Sequence, residues 1–247
     1  NMGYHESLTE GRNAVLEAFR SGKTVDRLFV LDGCQDGPVK TILREAKKQD
    51  TMVQYVKKER LDQLSETKNH QGVIAYCAAC EYAEVSDILE NAKKKGEAPF
   101  IVLLDGIEDP HNLGAIIRTA NQAGAHGVII PKRRAVGLTA TVARTSAGAV
   151  NYTPVAKVTN LVTVMEDLKK EGMWFVCADM DGEEMYSLNL KGPIGLVIGN
   201  EGEGVSRLVK EHCDMVASIP MKGDIDSLNA SVAMGVLAYE IVRQRRF

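Results

Sequence analysis

The chain has 247 residues, 45% hydrophobic and 26% charged, with a formal net charge of −3. That is the composition of an ordinary globular protein with ample material for a core, and no apolar run approaches the roughly 18 residues of a membrane span. The charge argues against a protein that holds nucleic acid through overall positive potential. The opening stretch NMGYHESLTEGRNAV has neither a basic start nor an apolar centre, so no secretory signal is read there and a cytoplasmic location is expected.

Helix and strand patterns alternate from the start. A short amphipathic helix is predicted over 10–22, a strand over 27–31, a helix over 39–49 and strands over 52–56 and 72–77. Residues 1–80 therefore form a small α/β unit. Residues 81–98 are charged with an amphipathic helical middle and read as a linker. The five cysteines, Cys34, Cys77, Cys80, Cys177 and Cys213, are odd in number and scattered, as reduced thiols are. Cys77 and Cys80 make one C-x-x-C without a second pair at zinc-site spacing, so they are read as strand-end cysteines and no metal is expected.

Residues 99–247 form the second unit. Strands predicted at 100–105, 127–131, 173–179, 194–199 and 215–220 are apolar on both faces, as in a parallel sheet covered by helices. Helix patterns lie at 112–124, 139–149, 160–172, 204–212 and 227–245. The fold class is a doubly wound α/β domain behind a smaller α/β unit. Open sheets of this kind bind ligands beyond the carboxyl ends of their strands, which directs attention to the loops at 105–112, 199–204 and 220–229.

The loop in LVIGNEGEG is glycine-rich yet carries Glu201 and Glu203 and no lysine. Phosphate-binding loops of this form present backbone amides and usually a lysine, and two carboxylates would repel a pyrophosphate. A neutral or cationic ligand is expected. In DGIEDPHNLGAIIRTA, Asn112 is either a helix cap or a site residue, and Arg118 sits on a largely apolar helix where burial would demand an anion. In the third loop Ser227 or Asn229 could cap the last helix; the small residues that follow suggest close approach to a ligand. Residues 112–165 contain no acid but include Arg118, Lys132, Arg133, Arg134, Arg144 and Lys157. That is either a local basic surface or the mere absence of acids from buried segments.

NLGAIIRTA, LVIGNEGEGVS and IPMKGDIDSLNASVA resemble, in order and spacing, the three motifs of the SpoU-type (TrmH-like) RNA ribose methyltransferases. GRNAVLEAF and NHQGVIA are similar to the L30e-related substrate-binding domain found in the branch that methylates a guanosine of 23S ribosomal RNA. The resemblance implies a trefoil-knotted parallel-sheet methyltransferase domain over 99–247 behind an L30e-like domain. It implies S-adenosylmethionine as cofactor, with Ile198, Gly199, Asn200, Ile219, Met221, Leu228 and Asn229 lining its pocket. Arg118 is implied as catalytic, with Asn112, Glu201, Ser227 and Asn229 orienting, and Glu201 positioned to pair with Arg118. RNA would be held by Lys132, Arg133, Arg134 and Arg144 and contacted by His70 and Gln71. A homodimer is implied, with 230–238 a candidate interface. Rival readings are a transfer-RNA ribose methylase, an adenosine-targeting resistance methylase, and a catalytically silent RNA-binding protein.

Overall fold

The computed structural model describes residues 7–247; the first six residues, on which the absence of a secretory signal partly rests, lie outside the described residues. In chain order the elements are β1 (Ser7–Glu10), α1 (Arg12–Arg20), β2 (Val25–Leu31), α2 (Gly37–Lys48), β3 (Met52–Val56), α3 (Lys58–Leu64) and β4 (Val73–Cys77). There follow α4 (Val85–Lys94), β5 (Phe100–Asp105), α5 (Pro110–Gln122), β6 (Gly127–Pro131), α6 (Ala140–Thr145), β7 (Val155–Val158) and α7 (Leu161–Lys170). The chain ends with β8 (Trp174–Glu184), β9 (Ile194–Gly199), α8 (Arg207–Glu211), β10 (Met215–Ser218) and α9 (Ala230–Arg246). Three elements escaped the sequence reading. β1 and β7 have only four residues each, and α3, KERLDQL, buries Leu61 alone.

The chain divides into two compact units, the first ending at Glu81 and including Gly137–Ala140, the second comprising Tyr82–Val136 and Thr141–Phe247. The first holds a mixed four-stranded sheet, order β1-β4-β2-β3. β1 and β2 flank β4 antiparallel, and β2 pairs with β3 in parallel. Val15, Phe19, Leu28, Val39 and Ile42 fill its core. Cys77 and Cys80 are free thiols, and burial raises both above the usual thiol range, as suits unreactive strand-end cysteines.

The second unit is a six-stranded parallel sheet, order β10-β8-β9-β5-β6-β7. From β5 the chain moves outward through β6 and β7, then returns to lay β8, β9 and β10 on the other side. The order reverses between β5 and β9, whose last paired residues are Asp105 and Gly199. This is the topological switch point, where loops leave the sheet in opposite directions and open a crevice. Ile101, Leu103, Ile129, Phe175 and Val197 meet α4, α7 and α8 on one face. By strand alternation Phe100, Val102 and Leu104 face the other way, the side left to α5 and α9, which pack on each other.

The predicted linker is part of the second unit. Ala83 bridges to Ala156, and Ile88 and Ala92 on α4 are buried. A Cβ at Gly127 would lie 2.5 Å from Ile88 Cγ1, so the glycine lets α4 seat against β6. Asn91 Nδ2 donates to the His126 carbonyl at 2.9 Å. Sequence marked the helix but not its seat, because only two buried side chains break its charged surface. Among the described residues no helix is long and apolar enough to cross a membrane.

His126 is fully buried, its Nδ1 accepting from the Phe100 amide at 2.9 Å. Burial pushes its imidazole below the ordinary value of 6.5, opposed by Glu97 with an oxygen 3.6 Å from Nε2. The unfolded chain therefore binds a proton that the folded chain resists, and stability falls as pH drops below about 6.5. Denaturant midpoints measured from pH 7.5 to 5 should decline in the wild type and decline less steeply in His126→Gln; parallel curves would assign the acid sensitivity elsewhere.

Candidate functional site

The loop after β9 is built on a backbone contact. A Cβ at Gly199 would come within 2.2 Å of the Gly204 carbonyl carbon and the Val205 nitrogen, so only glycine allows the chain to fold back there. Gly204 N donates to Asn200 O at 2.8 Å, and Gly204 itself has φ +70°. Inside the turn Asn200 Oδ1 accepts from Gly202 N at 2.7 Å and Glu203 N at 3.2 Å. The loop is fastened to β5 by Ser206 N donating to Asp105 Oδ2 at 2.7 Å and Asn200 Nδ2 to Gly106 O at 3.4 Å. Glu203 does not begin a helix: α8 starts at Arg207, with Ser206 as the flanking residue.

Glu201 gathers the other two loops. Its Oε1 accepts from Asn112 Nδ2 at 3.2 Å, from the Ala230 amide at 3.1 Å and, at short range, from Asn229 Nδ2. Asn229 Nδ2 also donates to Asn112 Oδ1 at 3.1 Å, while its Oδ1 caps α9 by accepting from Ser231 N and Val232 N. Asn112 is not a helix cap, a task Asp109 performs for α5. Asn112, Glu201 and Asn229 thus form one hydrogen-bonded cluster that joins the carboxyl ends of β5 and β9 to the start of α9.

Beside this cluster lies a cavity of about 370 Å³ between the ends of β8, β9 and β10 and the start of α9. Ile198, Gly199, Asn200, Ile219, Met221 and Leu228 line it, together with Ser227 and Glu201. Asn229 adjoins it through Glu201 rather than forming its wall. Sequence reasoning missed the β8 side of the cavity, Ala178 to Asp181, because the predicted strand stopped at 179 while β8 runs on to Glu184. Asp179, Asp181, Glu201, Glu203 and Asp226 all line the space; among the described residues no lysine or arginine does. Asp179 is held below the usual carboxylate range by the Asp181 amide and then by Lys210, whose Nζ is 3.1 Å away.

Three residues are arranged differently from expectation. Arg118 is exposed on α5 and does not pair with Glu201, whose carboxylate is occupied by the two asparagines. Six residues on from Asn112, it points about 120° away around the helix. His70 is buried, with Nε2 2.7 Å from Asp62 Oδ1 and Nδ1 accepting from Gly72 N, so its ring holds a turn rather than facing a ligand. Gln71 is exposed beside a cleft with Asn13 and Asn69, though its Oε1 already accepts from Arg12 N at 3.0 Å. Of the basic residues, Arg133 and Arg144 are exposed, Lys132 is half-buried, and Arg134 Nη2 lies 3.2 Å from Glu203 Oε2.

The model of the SpoU rRNA methylase family matches residues 99–239, and that of the RNA 2′-O ribose methyltransferase substrate-binding domain matches residues 8–83. The chain is 49% identical over 246 residues to YacO of Bacillus subtilis, named for the TrmH family of tRNA/rRNA methyltransferases, covering 99% of this chain and 98% of that one. Among solved structures it resembles the SpoU methyltransferase AviRb of Streptomyces viridochromogenes in complex with AdoMet, at 26% identity and a TM-score of 0.61, over 97% of this chain and 90% of that one. It also resembles an AdoMet-bound rRNA methyltransferase of Sinorhizobium meliloti, at 25% identity and a TM-score of 0.60, over 96% and 87%.

Asn229 has two separable tasks. Asn229→Ala loses the α9 cap, at a cost of about 0.5–2 kcal/mol, and also the donor to Glu201. Asn229→Asp keeps the cap and sets a second carboxylate against Glu201. Both variants should unfold at lower temperature and exchange the amides of residues 202 and 203 faster; a wild-type midpoint and protection in the Asp variant would show that the Glu201 bridge contributes nothing.

Proposed function

The chain belongs to the SpoU rRNA methylase family and is an RNA methyltransferase; on that premise we propose that it methylates a ribose 2′-hydroxyl, that of a guanosine in 23S ribosomal RNA, using S-adenosylmethionine. The observation that carries the cofactor reading is the acid-lined cavity between the ends of β8, β9 and β10 and the start of α9. S-adenosylmethionine bears a sulfonium cation and an adenosine and no phosphate, so carboxylates favour it where they would repel a dinucleotide. A volume of about 370 Å³ is within the range of small-molecule sites. AdoMet in AviRb and in the S. meliloti enzyme supports the same reading.

Backbone groups of Ile198 to Asn200, with the side chains of Ile219, Met221 and Leu228, would hold the cofactor. When bound, S-adenosylmethionine supplies a methyl group on a sulfonium, already an excellent leaving group. The protein's share is alignment and the management of one proton. Asn112, Glu201 and Asn229 fix the three loops that frame the site, and Ser227 stands exposed at its rim. A guanidinium offers donors and no acceptor, so Arg118 is not assigned the hydroxyl proton. Its role is to stabilise the developing alkoxide or grip a phosphate, while a phosphate oxygen or water takes the proton.

RNA phosphates would meet Arg133, Arg134, Arg144 and Lys132, and unpaired bases would be contacted in the first unit near Gln71. Support for ribosomal RNA comes from the match to the S. meliloti rRNA methyltransferase along 96% of the chain. α9 exposes Val232, half accessible, in the segment proposed as a homodimer face, and Tyr239 just beyond it. That face also lets Arg118, turned away from Glu201, act at a site shared between two copies.

The test is methyl transfer from labelled S-adenosylmethionine to 23S ribosomal RNA transcribed without modifications, with the product nucleotide mapped by mass spectrometry. A single 2′-O-methylguanosine is expected; label in transfer RNA alone would replace the substrate. Arg118→Lys keeps the charge and loses the planar fork, so its kcat should fall by about 10²–10³ with cofactor affinity unchanged, the size of effect seen when one donor to a developing oxyanion is removed. Full activity in that variant would remove Arg118 from the reaction.

A further inference from the structure

The ion pair between Arg134 and Glu203 joins the two partners of the proposed reaction. Glu203 lines the acidic cavity, whereas Arg134 stands on the loop after β6, next to Lys132 and Arg133 in sequence. A Cβ at Gly106 would lie 3.4 Å from both Arg134 Nη2 and Asn200 Cβ, so the guanidinium sits where the loops after β5, β6 and β9 converge. Arg134 itself holds φ +56°, a backbone state unusual for a residue with a side chain. Its contact with Glu203 is through Nη2 alone at 3.2 Å.

This pair is weakly held. The two side chains are 54% and 78% exposed, and such pairs confer at most about a fivefold preference. A phosphodiester can engage a guanidinium through two parallel N–H donors, a geometry that the single contact to Glu203 does not use. We infer that Arg134 is exchanged between Glu203 and an RNA phosphate, so that RNA docking withdraws the neutralising cation from the cavity rim and favours a cationic occupant over a neutral one.

The inference rests on the S-adenosylmethionine reading. Freed of Arg134, Glu203 adds its full charge to a wall already carrying Asp179, Asp181, Glu201 and Asp226. The sulfonium form of the cofactor gains from that charge, and the neutral thioether left after methyl transfer does not. Because coupling is reciprocal, a cationic occupant strengthens RNA binding and the spent cofactor weakens it. Arg134 would thereby link turnover to release of the methylated RNA.

Filter binding of unmodified 23S ribosomal RNA at fixed low salt tests this with two ligands. Sinefungin carries an amine cation in place of the sulfonium and has no methyl to transfer; S-adenosylhomocysteine is neutral at sulfur. Wild-type protein should bind RNA about three- to fivefold more tightly with sinefungin than with S-adenosylhomocysteine, the range an exposed pair allows. Glu203→Gln should bind RNA more tightly than wild type without ligand and lose the difference between ligands. Arg134→Gln should bind RNA more weakly and also lose it, while Arg134→Lys should retain part of it. A wild-type difference that persists in Glu203→Gln, or no difference in wild type with both ligands bound, would overturn the inference. Failure of either ligand to bind would overturn the cofactor reading with it.

Discussion

Three loops of the second unit meet at one carboxylate. Glu201 accepts hydrogen bonds from Asn112, Asn229 and the Ala230 amide, groups 89, 28 and 29 residues distant in sequence. All three bonds end on Oε1, and the asparagines supply donors without adding charge. The start of α5, the loop after β9 and the start of α9 are consequently fixed to one another. The cavity beside them depends on that anchoring, because one wall comes from the β9 loop and another from the residues leading into α9.

The sheet explains why the loops can meet at all. β5 and β9 are neighbours at the point where strand order reverses, so Asp105 and Gly199 end side by side and the loops that follow them start in contact. Asp105 then accepts from Ser206 N, binding the return of the β9 loop to the strand beside it. Gly199 removes the one side chain that would block this return. Electrostatics add to the site: five carboxylate side chains line the cavity, and Arg134 on the loop after β6 pairs with one of them, Glu203.

Much of this was legible in the sequence for identifiable reasons. Strands such as FIVLLD and IGLVIG are apolar on both faces, a pattern that only a covered parallel sheet rewards. Glycines next to two glutamates spoke against a phosphate loop. The illegible parts were those in which a side chain's meaning depends on a distant partner. His70 resembled an exposed contact residue until Asp62 and Gly72 closed around its ring. The charged segment before β5 resembled a linker because its seat is made by Gly127, nearly forty residues on.

The sequence by itself determined most of the element types, all but the short β1, α3 and β7, together with the sign of charge in the glycine loop and the residue types that frame the site, because periodicity and local charge are properties of adjacent residues. The tertiary structure alone decided that Glu201 binds two asparagines rather than Arg118, that the end of β8 walls the cavity, and that Arg134 reaches Glu203. Each of these is a pairing between segments brought together by strand order. Strand order follows from how buried surfaces pack over the whole chain, which no local window of sequence contains.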